Sequence, residues 1–269
     1  MNDGKGADNL MEEQIKEKVK DVFGRNADKY RTSEIHAQGD DLALLVEWLE
    51  PQETWTVLDI ATGGGHVTKA LAPYVQTVFS TDLTAQMLEN TANHLDSLFE
   101  NISYVIADAE ALPFLSHRFD AVVCRIAPHH FPNPEKFIQE AARVLKPNGK
   151  FVLIDNITPE DPKLAEFMNQ TEKLRDDSHA RCLSKAEWRG LLRSSGLAES
   201  KSLDRKKTFQ YPTWVARTTE SEEQVERVKQ HLLSADEETA SYFSLKVQNG
   251  DIQSFVIDEW MVMCTKKEN

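Results

Sequence analysis

Five short apolar runs, WTVLDIA, TVFSTD, SYVIAD, FDAVVCRIA and GKFVLID, succeed one another between Trp55 and Asp155. Amphipathic stretches of helix length separate most of them. Strands that each feed a crossover can pair in parallel only if the connections lie over the faces of the sheet, because a parallel neighbour cannot be reached by a tight turn. The rhythm therefore predicts an α/β fold, a doubly wound and mostly parallel sheet with helices on both faces. Helical segments begin near His66, Thr84 and Pro134. Met87, Leu88, Leu95 and Leu98 stripe the second of these. Phe137, Ile138, Ala141, Val144 and Leu145 stripe the third, which stops at KPNG. AEALPFLSHR, before the fourth run, reads as loop.

The flanks are less regular. Residues 1–12 are polar and expected to be unstructured, and 13–50 to supply N-terminal helices. One of these helices is expected from about Glu13 to just before GRNADKYRTSEIH. The other, GDDLALLVEWLEP, places Leu42, Leu45 and Trp48 or Leu49 on one face and stops at Pro51. Residues 51–156 form the predicted core of a single domain spanning 1–269. In 157–269, DPKLAEFMNQTEKLRDD and SKAEWRGLLRSSGL read as helices, the latter with Ser184 and Glu187 spaced as a capping box. SKSLDRKKTFQ is a weaker strand, SFVIDEWMVMCTKK a strongly apolar last one, and about 212–250 a helical insertion between them.

A formal charge of -13 over 269 residues argues against nucleic acid or an anionic membrane as the main partner. No apolar run approaches the roughly 20 residues of a membrane helix, and the N-terminus lacks the pattern of a secretory signal. Cys124, Cys182 and Cys264 are far apart and odd in number, which offers neither a disulfide framework nor metal-ligand spacing. A cytoplasmic protein without a bound metal is expected. Oligomeric state is left open.

The stretch VLDIATGGGHVTKALA sets three glycines between the first strand and its helix, where ligands bind in open α/β sheets. Backbone free of side chains lets a ligand come close. A dinucleotide would require G-x-G-x-x-G, and that pattern fails at its third slot, where Thr68 stands. Asp59, four residues before Gly63, would repel a pyrophosphate and suits a ligand carrying an amine. Inside a buried strand it must also find a cation or hydrogen-bond donors.

VLDIATGGG resembles the first motif of the class I S-adenosylmethionine-dependent methyltransferases, Asp/Glu-x-Gly-x-Gly-x-Gly, with Asp59, Ala61, Gly63 and Gly65 on its positions and Ala61 in place of the usual glycine. The resemblance implies S-adenosylmethionine as cofactor. It makes Asp82, 23 positions beyond Asp59, the acceptor for the ribose hydroxyls and Asp108 the acceptor for the adenine amino group. The backbone at Ala109 meets a ring nitrogen, and Leu83 and Met87 form apolar walls. DLTAQML, DAEALPF and FDAVVCRIAPHHFPNPEKFIQEAARVLKPNGKFVLID are similar to the ubiquinone/menaquinone-biosynthesis type of methyltransferase. That similarity spans about residues 20–156, and the architecture implies seven strands with the last antiparallel. The segment NADKYRTSEIHAQGDD then folds over the cofactor as a lid, with Tyr30 first and His36, Gln38 and Gly39 after it.

Methyl transfer asks the protein mainly to position the nucleophile and exclude water. CRIAPHHFPNP, after the fourth strand, is the substrate-side stretch. It lacks the Asn-Pro-Pro-Tyr of amine methyltransferases, so carbon or oxygen methylation of a small, aromatic or quinone-like acceptor is expected. His129 and His130 are the candidates for a base, with loop packing the alternative for each. Arg125, counted on the cofactor side, either anchors an anion or pairs with a nearby acid; Cys124 is expected in the core. Phe209, Tyr211, Trp214 and Phe243 either shape a substrate site or bury the insertion. Two other functions are compatible with the residues: a cofactor-binding protein without transfer and, less well, a nicotinamide-dependent oxidoreductase.

Overall fold

Burial runs almost unbroken along the central strands, which are covered on both faces. The structure, a computed structural model, describes residues 3–31 and 40–268, with side chains described at 10–25 and 40–268. The strands are β1 (Thr56–Ile60), β2 (Thr77–Asp82), β3 (Ile102–Ile106), β4 (Phe119–Arg125) and β5 (Leu145–Ile157), followed by β6 (Leu197–Gln210), β7 (Lys246–Gln248) and β8 (Asp251–Lys266). They form one sheet in the order β3-β2-β1-β4-β5-β8-β6, with β7 paired to β8. β1 to β5 are parallel, and β8 runs antiparallel to both β5 and β6. The predicted seven strands thus become eight, because Lys246–Gln248 pairs back on the start of β8 across the turn at Asn249 and Gly250.

Leu58, Val122, Cys124, Phe151, Leu153, Trp260 and Val262 face one helical layer, with α5 (Pro134–Val144) and α7 (Lys185–Ser194). Val57, Ala121, Val123, Val152, Ile154 and Met261 face the other, with α2 (Asp40–Leu49) and α3 (His66–Leu71). Strands buried on both faces read as continuous apolar runs, which is why the sequence displays them so plainly. α4 (Ala85–Leu95) follows β2 and buries Met87, Leu88 and Leu95, whereas Leu98 lies beyond its end and is exposed. The capping box of Ser184 and Glu187 is formed. A third cluster joins α6 (Pro162–Arg175), α8 (Tyr211–Val215) and α9 (Glu222–Leu233) to Phe255 and Ile257 of β8. Phe209, Tyr211, Trp214 and Phe243 are all buried there. α10 (Glu237–Tyr242) completes the insertion.

The N-terminal helix departs from expectation at both ends. α1 runs Asp3–Arg31, so residues 3–12 continue the helix instead of preceding it. Glu12 is tied to the body of the protein, accepting from Asn133 Nδ2 at 3.0 Å and Lys136 Nζ at 2.9 Å. Gly24, before which the helix was expected to end, lies inside α1, where an added Cβ would make only ordinary contact, 3.7 Å, with Thr84 Cγ2. Among the described residues no helix is long and apolar enough to cross a membrane.

The chain order reverses between β1 and β4, which opens a crevice at the carboxyl ends of those strands. Gly65 holds α3 beside α4 at its edge: φ is +77°, and an added Cβ would fall 2.5 Å from Thr91 Cγ2 and 3.1 Å from Leu95 Cδ1. Gly65→Ala should therefore lower unfolding free energy by roughly 2–4 kcal/mol, the sum of overpacking and left-handed strain. Urea denaturation measures this. A loss below about 0.5 kcal/mol, the usual size of a neutral surface change, would mean that α3 and α4 separate freely.

Candidate active site

The turn after β1 is a run of left-handed backbone. φ is +55° at Ala61, +52° at Gly63 and +77° at Gly65. Ala61, on the motif position usually held by glycine, accepts the conformation despite its Cβ. The turn is fixed from three sides. Thr62 N donates to Thr81 O at 2.8 Å, Gly63 N to Asp82 Oδ2 at 3.0 Å, and Thr91 Oγ1 of α4 to Gly63 O at 2.7 Å.

Asp59 is 1% exposed, and its Oδ2 accepts from Thr62 Oγ1 at 2.6 Å, Thr68 Oγ1 at 2.7 Å and Thr68 N at 3.1 Å. Of the two kinds of relief expected for this buried carboxylate, a cation or hydrogen-bond donors, the protein supplies the second. Thr68, the residue that broke the dinucleotide pattern, supplies two of them from the first turn of α3. Burial still pushes the Asp59 carboxyl up to about 6, opposed by those hydrogen bonds and assisted by nearby Asp82. Asp82 accepts from Gly63 N and, through Oδ1, from Thr84 N at 2.9 Å; burial raises its carboxyl despite these bonds. Asp108 Oδ1 accepts from Glu110 N at 2.9 Å, and its Oδ2 from Lys16 Nζ at 2.7 Å.

These three carboxylates line one cleft of about 1020 Å³, with Ala61, Gly63, Leu83, Met87, Ala109 and Arg125 also in its wall. The cofactor-side residues predicted from sequence within the described side chains thus converge. Gly65 sits behind the cleft and acts through helix packing. The side chain of Tyr30, and the whole of His36, Gln38 and Gly39, lie outside the described residues. Arg125 pairs with Asp41 of α2, donating through Nε and, at 3.1 Å, through an Nη. Asp41 is also buried; burial raises its carboxyl, but the Arg125 guanidinium prevails and holds it below the usual range. The pair roofs the crevice from α2, so Arg125 meets a nearby acid and is not an unpaired anchor for an anion.

Sequence reading assigned lid helices to 13–50 but did not identify the α1 side chains that roof the cleft. Lys16 bonds Asp108 and, at 2.6 Å, the buried Glu110. Val19 and Phe23 line the same cleft, and the ring of Phe23 meets His130 edge-on at 4.9 Å. Glu12, Lys16, Val19 and Phe23 recur at helical spacing on one face, a signal that polar neighbours in EQIKEKVKDVF obscure.

A second cavity of about 500 Å³ adjoins the first, sharing Phe23, Ile126 and His130 as walls. Ile126 has φ +52°, uncommon for a β-branched residue, and its N–H donates to Ile154 O at 2.7 Å. His129 lines only the second cavity. Its Nδ1 lies 2.7 Å from Asp155 Oδ1 and its backbone N–H donates to Asp155 Oδ2 at 3.0 Å. Burial disfavours the imidazolium, but the Asp155 carboxylate overrides it and raises the pKa of His129. His130 goes the other way: burial and the neighbouring His129 hold it well below the ordinary value, with its Nδ1 3.1 Å from Ser178 O. Asp155, unmarked in sequence beyond its place at a strand end, is what distinguishes the two histidines. Cys124 is fully buried, and burial raises its thiol well above the usual range.

The titration of Asp59 is open to test. Its folded value near 6 exceeds the unfolded value of about 3.9, so the folded state binds the proton more tightly and stability falls as pH rises between those values. Asp59→Asn removes this dependence. Relative to wild type, the ligand-free variant should gain about 3 kcal/mol between pH 4 and pH 7, measured by urea denaturation. A difference that stays constant with pH would refute it.

The core of the chain, residues 58–153, matches the family model described as a methyltransferase domain. The uncharacterized methyltransferase YcgJ of Bacillus subtilis (strain 168) is 35% identical over 247 residues, covering 91% of this chain and 98% of that protein. The crystal structure of YcgJ superposes with a TM-score of 0.83 at 34% identity, over 86% of this chain and 99% of that one. The ubiquinone/menaquinone biosynthesis C-methyltransferase UbiE of Rickettsia typhi is 30% identical over 160 residues, covering 55% of this chain and 64% of its own length. With the glycine turn and three strand-end carboxylates around one cleft, this similarity decides the alternatives left open by sequence: the chain belongs to the class I S-adenosylmethionine-dependent methyltransferases.

Proposed function

We propose that this methyltransferase acts on a small acceptor seated in the second cavity, methylating an oxygen or carbon that His129 deprotonates. The observation that carries the reading is the Asp155–His129 pair in the wall of a cavity that shares three residues with the cofactor cleft. The similarity to UbiE, named as a C-methyltransferase of quinone biosynthesis, supports an aromatic or quinone-like acceptor.

The residues of the cleft fit S-adenosylmethionine. Left-handed backbone at Gly63 leaves the turn bare toward Met87 Cε, with 3.6 Å to an added Cβ, and carboxylates replace the cations a phosphate would need. Asp82 would hold the ribose, Asp108 and Ala109 the adenine, and Leu83 and Met87 its faces. When bound, the cofactor supplies a methyl on a positively charged sulfur whose C–S bonding pair leaves with the neutral thioether.

The chain's own contribution is orientation, desolvation and one proton. With Nδ1–H donating to Asp155, Nε2 of His129 is the acceptor for the proton lost by a phenol or enol, and Asp155 stabilises the imidazolium that forms. His130, kept neutral by burial, serves as wall between the cavities. Phe23 and Ile126 close the remaining junction to water.

Turnover with hydroxyaryl acceptors, read as S-adenosylhomocysteine formed, tests the reading. His129→Ala should lower kcat roughly 10²–10⁴-fold, the usual share of a general base, with cofactor affinity unchanged. Because neutral His129 is the active form, kcat/KM should rise with pH through a pKa above 6.5. Asp155→Asn should move that limb to lower pH and reduce the plateau. A pH profile unaltered by either substitution would exclude His129 as the base. Asp82→Ala should weaken cofactor binding by about 1–3 kcal/mol, measured by calorimetry; unchanged affinity would remove Asp82 from the ribose site.

A further inference from the structure

Helix α1 meets the cofactor cleft through a cation shared by two acids. Lys16 Nζ donates to Asp108 Oδ2 at 2.7 Å and to Glu110 Oε2 at 2.6 Å. Both acids belong to the turn after β3. Asp108 Oδ1 accepts from the Glu110 amide at 2.9 Å and the Asp108 carbonyl from the Ala111 amide at 3.0 Å, which fixes the turn and sets both carboxylates beside one ammonium.

The two acids ask different things of Lys16. The Glu110 side chain is 2% exposed, and its Oε1 accepts from the Asn133 amide at the start of α5 at 2.7 Å. Burial raises its carboxyl, assisted by the Asp108 charge and opposed by Lys16 and by the Asn133 amide. Loss of Lys16 would strand that buried charge and weaken the fold with or without a ligand. The Lys16 and Asp108 side chains are instead 20% and 30% exposed, and both line the cleft. A carboxylate has about four lone-pair sites. Asp108 gives one to Lys16 and one to the Glu110 amide, so it can accept from adenine's amine without releasing Lys16.

Adenine seated there also takes water away from the Lys16–Asp108 pair. An ion pair strengthens as the dielectric around it falls, and by linkage the gain runs both ways, from cofactor to pair and from pair to cofactor. The pair holds α1 in place. One and two turns beyond Lys16, Val19 and Phe23 complete the cleft wall, and Phe23 also lines the second cavity.

We propose that Lys16 is a positioning residue for the cofactor: it ties α1 to the adenine acceptor Asp108, so that adenine fixes α1 and α1 in turn retains the cofactor. This rests on the adenine site proposed above. Glu110 keeps Lys16 in place when the cleft is empty, and Phe23 carries the same closure to the wall of the acceptor cavity.

Calorimetry with S-adenosylhomocysteine, urea denaturation without ligand, and hydrogen exchange over residues 10–25 test it on the full chain. Lys16→Met should weaken S-adenosylhomocysteine binding at least about fivefold, the lower end of the usual coupling between linked sites. It should also lower the urea midpoint, because Glu110 loses its cation. Adding Glu110→Gln removes the stranded charge and keeps an acceptor for the Asn133 amide, so the midpoint should recover while the affinity does not. S-adenosylhomocysteine should slow exchange of the α1 amides in the wild type and not in Lys16→Met. Undiminished affinity in Lys16→Met, affinity that returns with stability in the double variant, or wild-type α1 exchange indifferent to S-adenosylhomocysteine overturns the proposal. Asp108→Ala tells that failure from a failure of the underlying reading: weakened binding there leaves the adenine site standing, whereas unchanged binding strikes the site and the proposal with it.

Discussion

The site depends on how a buried carboxylate is held at the end of β1. Asp59 is enclosed by the sheet, and an unrelieved charge there would cost several kcal/mol. The hydroxyls of Thr62 and Thr68 and the Thr68 amide in the first turn of α3 relieve it, which binds the strand end to the start of the next helix. The glycine turn between them is thereby closed at both ends and swung against Asp82. Left-handed backbone at Gly63 and Gly65 lets the turn close so tightly.

Helix α1 adds a second layer of control. Lys16, Val19 and Phe23 of one helix face line the cleft, with Lys16 bonded to Asp108 and the Phe23 ring at the junction with the second cavity. Lys16 answers the buried charge of Glu110 and shares Asp108 with it, so the group that would receive adenine's amine already has a protein donor beside it. Asp59, Asp82 and Asp108 line the cleft, whereas Arg175, Lys207 and Arg217 line the second cavity.

Much of this was legible before any coordinates. Apolar runs of β1, β4 and β5 announced strands buried on both faces, and the capping box at Ser184 formed as written. Asp82 and Asp108 could be placed because a strand end followed by a helix or loop projects its last residue into the crevice. Lys16 could not, since its partners lie 92 and 94 residues away and its neighbours read as a solvated helix. Asp41 is the same case for Arg125: an acid at the start of a helix is commonplace, and only the packing of α2 over β4 turns it into a buried ion-pair partner. Gly24 misled because glycine weakens a helix without having to end it, and α1 runs on through it to Arg31.

What the sequence determined by itself was local and periodic: strand rhythm, the bare turn, the acids at strand tips, and hence fold, family and cofactor. Tertiary structure decided which of two adjacent histidines is paired with a carboxylate, because only folding brings Asp155 to His129 and Ser178 to His130. It also decided that Arg175, Lys207 and Arg217 line a cavity. Such choices depend on partners remote in the chain and on the dielectric of the space between them, and neither is written in the spacing of residues along it.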